Sequence, residues 1–161
     1  MNFFDWLGVT ASGKPLEVGD AAPDVVSRDE RGKEVHLADL YGKGFTLVYF
    51  YPKADTPGCT AQACSLRDDF AVLQARGVRV VGVSADGPEA QRRFAEKYHL
   101  PFVLLADRER AVAKAFGVPL MLGMTKRQSF LIKGGRVVWC DLTASTRAQA
   151  QDILKAVEEL S

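Results

Sequence analysis

The sequence predicts an α/β fold with a mixed central sheet flanked by helices, and three patterns support this prediction. Two nearly continuous apolar runs, at residues 45–51 and 78–83, are typical of interior strands in a partly parallel sheet. Residues 61–76 lie between them and place apolar side chains at helical spacing, which gives a strand–helix–strand unit long enough for a right-handed crossover. Residues 128–132 and 136–140 flank a Lys-Gly-Gly connection, which predicts an antiparallel hairpin.

The remaining elements follow from local patterns. A turn-forming Asp-Glu-Arg-Gly stretch separates residues 24–27 from residues 34–37, which predicts an N-terminal hairpin. Apolar patterning then predicts a helix, a strand and a helix at residues 88–98, 102–105 and 108–116. Near the C-terminus, Thr146 and Gln149 have the spacing of a capping box, and an apolar stripe follows them. We therefore expect a closing helix that packs on the sheet.

The length and charge of the chain limit its organisation and its partners. With 161 residues, we expect one domain at residues 16–161, after an N-terminal extension at residues 1–15 whose apolar start predicts a short amphipathic helix. The 21 basic and 20 acidic residues leave a formal charge of +1, so electrostatics gives no support for nucleic-acid binding. No segment approaches transmembrane length, and the start lacks the basic lead of a signal peptide, so we expect no membrane partner.

The three cysteines indicate the compartment. Cys59 and Cys64 are five residues apart and Cys140 is alone, which is not the dense framework of a small secreted protein. We therefore expect a cytoplasmic protein with reduced thiols. Because Cys140 lies in a predicted strand, we expect it to be an unreactive core residue. His36 and His99 are far from the cysteines in sequence, so we expect no metal site.

Cys59 lies where a predicted strand ends and a predicted helix begins. The first turn of a helix directs unpaired backbone N–H groups and the positive end of the helix dipole at its surroundings. Such a position stabilises a thiolate relative to a thiol, and a thiolate is a nucleophile and a redox centre.

The residues around Cys59 resemble a known family. Pro52, Thr56 and Cys59 match the Pro-x-x-x-Thr-x-x-Cys signature of peroxiredoxins. The longer string that continues through Cys64 to Asp68 resembles the bacterioferritin comigratory protein subfamily, also called peroxiredoxin Q. The similarity covers roughly residues 16 to 160, and the order of the predicted elements is that of a thioredoxin-like fold. We therefore expect a thioredoxin-like fold of the peroxiredoxin type.

The resemblance implies a role for each residue of the signature. Cys59 is expected to attack one oxygen of a peroxide. Thr56 lies one helical turn before Cys59, so its hydroxyl is expected to reach both the sulfur and a bound peroxide oxygen. Pro52 has no N–H and a fixed φ, so its expected role is to shape the pocket wall.

A cation beside the sulfur would favour the thiolate further, and two arginines are candidates. The resemblance implies Arg127, which precedes the predicted strand at residues 128–132. Arg67 lies on the helix that follows Cys59 and is the competing candidate, although an arginine eight residues past the nucleophile is more typical of a structural ion pair.

Cys64 is the expected resolving cysteine, which would form a disulfide with the sulfenic acid left at Cys59. In an ideal helix, Cα atoms five residues apart are separated by about 8.6 Å, whereas an unstrained disulfide tolerates at most ~7 Å. We therefore expect the first turn of the helix or more to unwind when the disulfide forms.

The expected function is a thiol peroxidase that reduces hydrogen peroxide and small organic hydroperoxides without a cofactor. Thioredoxin or a related dithiol donor would reduce the disulfide, and an intramolecular disulfide together with the subfamily resemblance favours a monomer. One alternative is a thioredoxin-like disulfide reductase, which would require Cys-x-x-Cys at the helix start and a proline directly before Ser129; the chain has neither. A second alternative is a redox sensor or holdase chaperone that uses the same thiol.

Overall fold

The computed structural model describes residues 14–161, so the helix expected in the N-terminal extension lies outside the described residues. The described chain joins the fold at Leu16, whose N–H donates a hydrogen bond to the carbonyl of Phe116. In chain order, the strands are β1 (Val26–Arg28), β2 (Glu34–His36), β3 (Phe45–Phe50), β4 (Val78–Ser84), β5 (Val103–Ala106), β6 (Leu120–Met121), β7 (Met124–Thr125), β8 (Gln128–Lys133) and β9 (Arg136–Asp141). The helices are α1 (Pro57–Asp68), α2 (Phe70–Ala75), α3 (Pro88–Tyr98), α4 (Ala111–Phe116) and α5 (Gln149–Leu160), and Leu37–Leu40 form a 3-10 helix.

Five strands form the central sheet, in the order β5-β4-β3-β8-β9. Strands β3, β4 and β5 are parallel, whereas β8 is antiparallel to β3 and β9 is antiparallel to β8. The predicted mixed sheet, the strand–helix–strand unit and the hairpin at β8 and β9 are therefore confirmed. The predicted N-terminal hairpin is also confirmed, since β1 and β2 pair antiparallel.

Side chains of β3 alternate between two cores on opposite faces of the sheet. Leu47 and Tyr49 belong to the core that includes residues of α1, α2, α3 and α5. Val48 and Phe50 belong to the core that includes residues of α4 and the Leu37 side chain. Because both faces are covered, β3 and β4 are predominantly apolar rather than alternating regularly with polar residues.

The helix predicted at residues 61–76 differs from the structure at its start and in its middle. It begins earlier, at Pro57, because a proline is well suited to the first position of a helix. It is interrupted at Asp69, where φ is −103° and ψ is 16°, so that α1 and α2 are separate helices. Aspartate has a low helix propensity, and the Asp69 side chain accepts a hydrogen bond from Gln151 Nε2 of α5 at 3.1 Å.

The predicted capping box of the C-terminal helix is wrong. Helix α5 begins at Gln149, and Ala148 before it provides no side-chain cap. The Gln149 side chain is instead fully buried and bonded to Gln62 and Ser129, so it is not engaged in a capping box with Thr146. The next residue also contacts α1, since Ala150 N donates to Ser65 Oγ at 3.3 Å.

Two smaller features were not predicted. Strands β6 and β7 form a short hairpin whose turn residues, Leu122 and Gly123, have φ values of 53° and 79°. Both turn residues with positive φ are typical of a type I′ turn, and leucine at the first of them gives no sequence signal. Helix α4 begins at Ala111 rather than at residue 108, because Arg110 adopts a left-handed conformation. Within residues 14–161, no helix has the length and apolar character needed to cross a bilayer.

Candidate active site

Cys59 is the third residue of α1, which follows the carboxyl end of β3. Only 1% of the residue is exposed, and it lies in the first turn of the helix, where the backbone N–H groups have no partner within the helix. The strand and the helix therefore place a buried thiol at the positive end of the helix dipole.

Arg127 contacts this thiol. It directly precedes β8, and β8 is hydrogen-bonded to β3 in a register that pairs Gln128 with Phe50, so Arg127 is close to the carboxyl end of β3. Arg127 Nη2 donates to Cys59 Sγ at 3.4 Å, and Arg127 Nη1 donates to Gln62 Oε1 at 2.7 Å. The guanidinium is thus held at two points, of which one is the sulfur.

Gly58 makes room for this guanidinium. A Cβ atom at Gly58 would lie 3.0 Å from Arg127 Nη2 and 3.4 Å from Thr146 Cγ2. Both distances are shorter than or at the limit of ordinary van der Waals contact, so a side chain at this position would displace Arg127.

A chain of buried hydrogen bonds continues from Arg127 into the protein, and it was not predicted from the sequence. Gln62 Nε2 donates to Gln149 Oε1 at 2.9 Å, and Ser129 Oγ donates to the same oxygen at 2.5 Å. All three side chains have 0% exposure. The available signal was the position of Gln62, which puts a polar residue on the same face of α1 as Leu66. Gln149 and Ser129 gave no comparable signal.

Thr56 and Pro52 are both in the loop between β3 and α1. The Thr56 hydroxyl donates to the carbonyl of Lys53 at 2.6 Å, so its proton is engaged there, and the expected contact of this hydroxyl with the Cys59 sulfur stays a prediction. The oxygen keeps its lone pairs, so Thr56 is available to the site as an acceptor. Pro52 is half-buried directly after Tyr51, and its steric role stays a prediction.

Asp55 fixes the same loop to α3. Its backbone is left-handed, with φ of 59°, and its carboxylate accepts hydrogen bonds from Lys97 Nζ at 2.9 Å and from Tyr98 Oη at 2.8 Å. Hydrogen bonding to Lys97 lowers the pKa of Asp55, so the carboxylate stays ionised at neutral pH. These contacts hold the loop directly before the Thr-Pro-Gly-Cys turn.

Cys64 is half-buried on α1 and is not bonded to Cys59, since both thiols are free. Five residues of a helix correspond to a rotation of about 140°, so the two thiols point to different sides of α1. Arg67 binds other groups than Cys59. Its guanidinium donates to Asp68 Oδ1 at 2.9 Å and to the carbonyl of Tyr98 at 2.8 Å, so it has the structural role that its position suggested.

Tyr49 belongs to the same core as Cys59. Its hydroxyl is buried and has no hydrogen-bond partner among the described residues. Burial raises the pKa of Tyr49 well above its ordinary value, and Cys59 adds to this effect. The hydroxyl therefore stays protonated and is a neutral neighbour of the thiol.

Cys140 lies on the other side of the sheet. It is opposite Phe130 in the pairing of β9 with β8 and packs against the core that contains Phe130, whereas Cys59 is in the core of the opposite face. Burial raises the pKa of the Cys140 thiol, and the charge of Asp141 adds to this effect. Cys140 is therefore remote from the candidate site and disfavoured as a thiolate. Within residues 14–161 there is no group of three or more His, Cys, Asp or Glu side chains arranged to hold a metal ion.

Solved structures similar to this chain include a peroxidoxin and a peroxiredoxin. Peroxidoxin BcpB from Mycobacterium tuberculosis superposes with a TM-score of 0.84 and 32% identity, covering 91% of this chain and 99% of that protein. Peroxiredoxin Q from Xanthomonas campestris superposes with a TM-score of 0.80 and 26% identity, covering 91% of this chain and 98% of that protein. The predicted thioredoxin-like fold of the peroxiredoxin type is thereby confirmed.

Sequence comparison gives the same result. Peroxiredoxin Bcp from Escherichia coli is 52% identical over 104 residues, which cover 65% of this chain and 66% of that protein. The chloroplastic peroxiredoxin Q of Populus jackii is 42% identical over 122 residues, covering 74% of this chain and 57% of that protein. The chain therefore aligns with about two thirds or less of the length of these curated relatives. The AhpC/TSA family model matches residues 18–139, which include Cys59, Cys64 and Arg127, and the chain therefore belongs to the AhpC/TSA family.

Proposed function

We propose that the chain is a thiol peroxidase that reduces hydrogen peroxide and small organic hydroperoxides without a cofactor. The observation that supports this best is the hydrogen bond from Arg127 Nη2 to Cys59 Sγ in the first turn of α1. The relatives named peroxiredoxin agree with it. A similar solved structure, 26% identical, is that of the bacterioferritin comigratory protein of Xanthomonas campestris, a protein with alkyl peroxide reduction activity. This activity also supports the proposal.

The chemistry begins with the Cys59 thiolate. The sulfur attacks one oxygen of the peroxide, an S–O bond forms, and the O–O bond breaks. The departing oxygen takes up a proton from solvent and leaves as water or an alcohol, while Cys59 becomes a sulfenic acid. Arg127 stabilises the thiolate before the attack and the negative charge that develops on the departing oxygen.

Thr56 and Pro52 complete the proposed peroxide pocket. Because the Thr56 hydroxyl donates to Lys53, its oxygen is free to accept the O–H of a hydroperoxide. Pro52 offers no N–H that would compete for the peroxide oxygens, so it limits the pocket only by its shape.

Cys64 is the proposed resolving cysteine. Its thiolate attacks the sulfenic sulfur of Cys59, the S–S bond forms as the S–O bond breaks, and the departing hydroxide takes up a proton from solvent and leaves as water. The two residues are on one intact helix, so α1 must unwind locally before the sulfur atoms meet. Thioredoxin or a similar dithiol then reduces the disulfide in the cytoplasm, and an intramolecular disulfide is compatible with a monomer.

Replacing Cys64 with serine tests this sequence of steps. The Cys64→Ser variant should consume one equivalent of peroxide to form sulfenic acid at Cys59, form sulfinic acid only when a second equivalent is added, and fail to turn over with thioredoxin. Intact mass after one equivalent of peroxide and a thioredoxin-linked turnover assay are the measurements. Cys140→Ser is the matched control and should retain turnover. Steady turnover of Cys64→Ser, or a Cys59–Cys140 disulfide in the oxidised wild type, would show that Cys64 is not the resolving residue.

Replacing Gly58 with alanine should slow the reaction with peroxide without destabilising the fold. The added methyl group would lie 3.0 Å from Arg127 Nη2 and push the guanidinium away from the sulfur. We expect the second-order rate constant to fall about 3- to 10-fold, whereas Gly→Ala at a compatible backbone position usually stabilises by about 0.4–1 kcal/mol. Stopped-flow kinetics and a thermal melt measure the two effects.

Gly87→Ala is the control for this substitution. Gly87 precedes α3, and its added methyl group would meet Arg108 instead of Arg127. The control should leave the rate unchanged, and an equal loss in both variants would contradict the explanation.

A further inference from the structure

The hydrogen bonds beyond Arg127 have a fixed direction. A guanidinium has only donors, so Arg127 requires an acceptor from Gln62, and Oε1 of Gln62 occupies that position at 2.7 Å. The amide nitrogen of Gln62 must then point the other way and needs an acceptor of its own. Gln149 Oε1 is that acceptor, at 2.9 Å.

The orientation of Gln149 is therefore dictated by Arg127. If the Gln149 amide were turned over, its nitrogen would face the nitrogen of Gln62, and two donors would oppose each other. In the observed orientation Gln149 Oε1 accepts from both Gln62 and Ser129, while Gln149 Nε2 is buried without a partner among the described residues. A buried donor without a partner costs stability. The orientation of Gln149 thus serves the hydrogen bond to Gln62, although it leaves Gln149 Nε2 without a partner of its own among the described residues.

We infer that Gln149 is a positioning residue for the candidate active site. It acts through Gln62: the Gln149 oxygen keeps the Gln62 amide from rotating, and the fixed Gln62 oxygen holds Arg127 Nη1 so that Nη2 points at Cys59 Sγ. The first residue of α5, 90 positions after Cys59 in sequence, thereby controls the geometry of the thiol and its arginine. This inference rests on the proposed peroxidase function for its kinetic consequence.

Two substitutions separate positioning from a merely structural role. Gln149→Met keeps approximately the same shape but has no strong acceptor, whereas Gln149→Glu keeps an acceptor oxygen in either protonation state. We expect Gln149→Met to lower the limiting rate constant for peroxide, measured on the plateau of its pH profile, by about tenfold. Gln149→Glu should stay within about twofold of the wild type on the same plateau. Thermal melts should rank the variants in the opposite order, because a buried methionine is tolerated better than a buried carboxylate.

Gln151→Met is the matched control. Gln151 is also on the first turn of α5 and also binds the segment after α1, through Asp69, but it has no link to Arg127. This control should keep the wild-type rate. A second test is Gln149→Met combined with Arg127→Ala, where the loss caused by Gln149→Met should shrink to less than about twofold because it acts through Arg127. If the methionine variant does not fold, Gln149→Leu removes the same acceptor.

The inference is overturned if Gln149→Met keeps the wild-type rate, if Gln149→Glu loses as much as Gln149→Met, or if Gln151→Met loses as much. Failure of the proposed function is a separate result. A wild type that reacts with peroxide no faster than free cysteine would contradict the function alone. In that case the positioning role of Gln149 can still be tested by the ultraviolet absorbance of the Cys59 thiolate. The measurement uses chains that also carry Cys64→Ser and Cys140→Ser, so that Cys59 is the cysteine observed. At a given pH the thiolate fraction should be smaller with Gln149→Met than with Gln151→Met, and equal fractions would overturn the inference.

Discussion

Replacing Cys59 with serine should abolish peroxide reduction while leaving the fold unchanged. An alcohol is far less acidic than a thiol, so serine supplies no anionic nucleophile at neutral pH. The serine hydroxyl would still accept a hydrogen bond from Arg127 Nη2, so the buried site keeps its polar contact. Peroxide consumption and thioredoxin-linked turnover, together with circular dichroism of the folded chain, measure this outcome.

Cys140→Ser is again the matched control, because it makes the same chemical change on the opposite face of the sheet. It should retain full activity. Substantial residual turnover in Cys59→Ser would mean that the reacting sulfur is elsewhere.

Replacing Arg127 with alanine should lower the second-order rate constant for peroxide by about 10²- to 10³-fold. The substitution removes the charge that stabilises the thiolate and the departing oxygen, and it leaves Gln62 Oε1 without its 2.7 Å partner. Single-turnover stopped-flow measurements isolate this step from the later reduction of the disulfide. The rate constant of Arg127→Lys should lie between those of the wild type and Arg127→Ala, because lysine keeps the charge but not the planar pair of donors.

Arg67→Ala distinguishes the two arginines that the sequence offered as candidates. The Arg67 guanidinium is bound to Asp68 and to the Tyr98 carbonyl, so its loss should leave the first step unchanged. A fall of less than about threefold in Arg127→Ala would place Arg127 outside the reaction, since one lost electrostatic donor usually costs far more.

The central strands and the helix at Pro88–Tyr98 could be predicted because their signals are local. An apolar run of strand length, or apolar residues on one helical face, specifies its element without knowledge of the rest of the chain. The break at Asp69 and the start of α5 could not be predicted in this way. Both depend on contacts between α5 and the α1–α2 segment, which are more than 80 residues apart in sequence.

In the candidate site, too, features with a local sequence signal could be predicted and features that depend on long-range contacts could not. Cys59, with its position at the start of a helix, follows from the strand-to-helix pattern, and Arg127 followed only from the family resemblance. Gln62 and Gln149 were missed because a polar residue in one sequence gives no indication that it will be fully buried. Their burial is compensated by partners 65 and 87 residues away, which only the folded chain brings together.

The docking of α5 on the segment of α1 has a consequence for the reduction potential of the proposed disulfide. Gln149, Ala150 and Gln151 bind Gln62, Ser65 and Asp69, which recur along one face of that segment. Gln62 lies between Cys59 and Cys64, so local unwinding of α1 for the proposed disulfide would break its bond to Gln149, which is present in the dithiol form. Each bond that is lost favours the dithiol by about 1 kcal/mol, which corresponds to roughly 20 mV for a two-electron couple. The docking of α5 would therefore make the proposed disulfide a stronger oxidant, which a dithiol donor would reduce more readily.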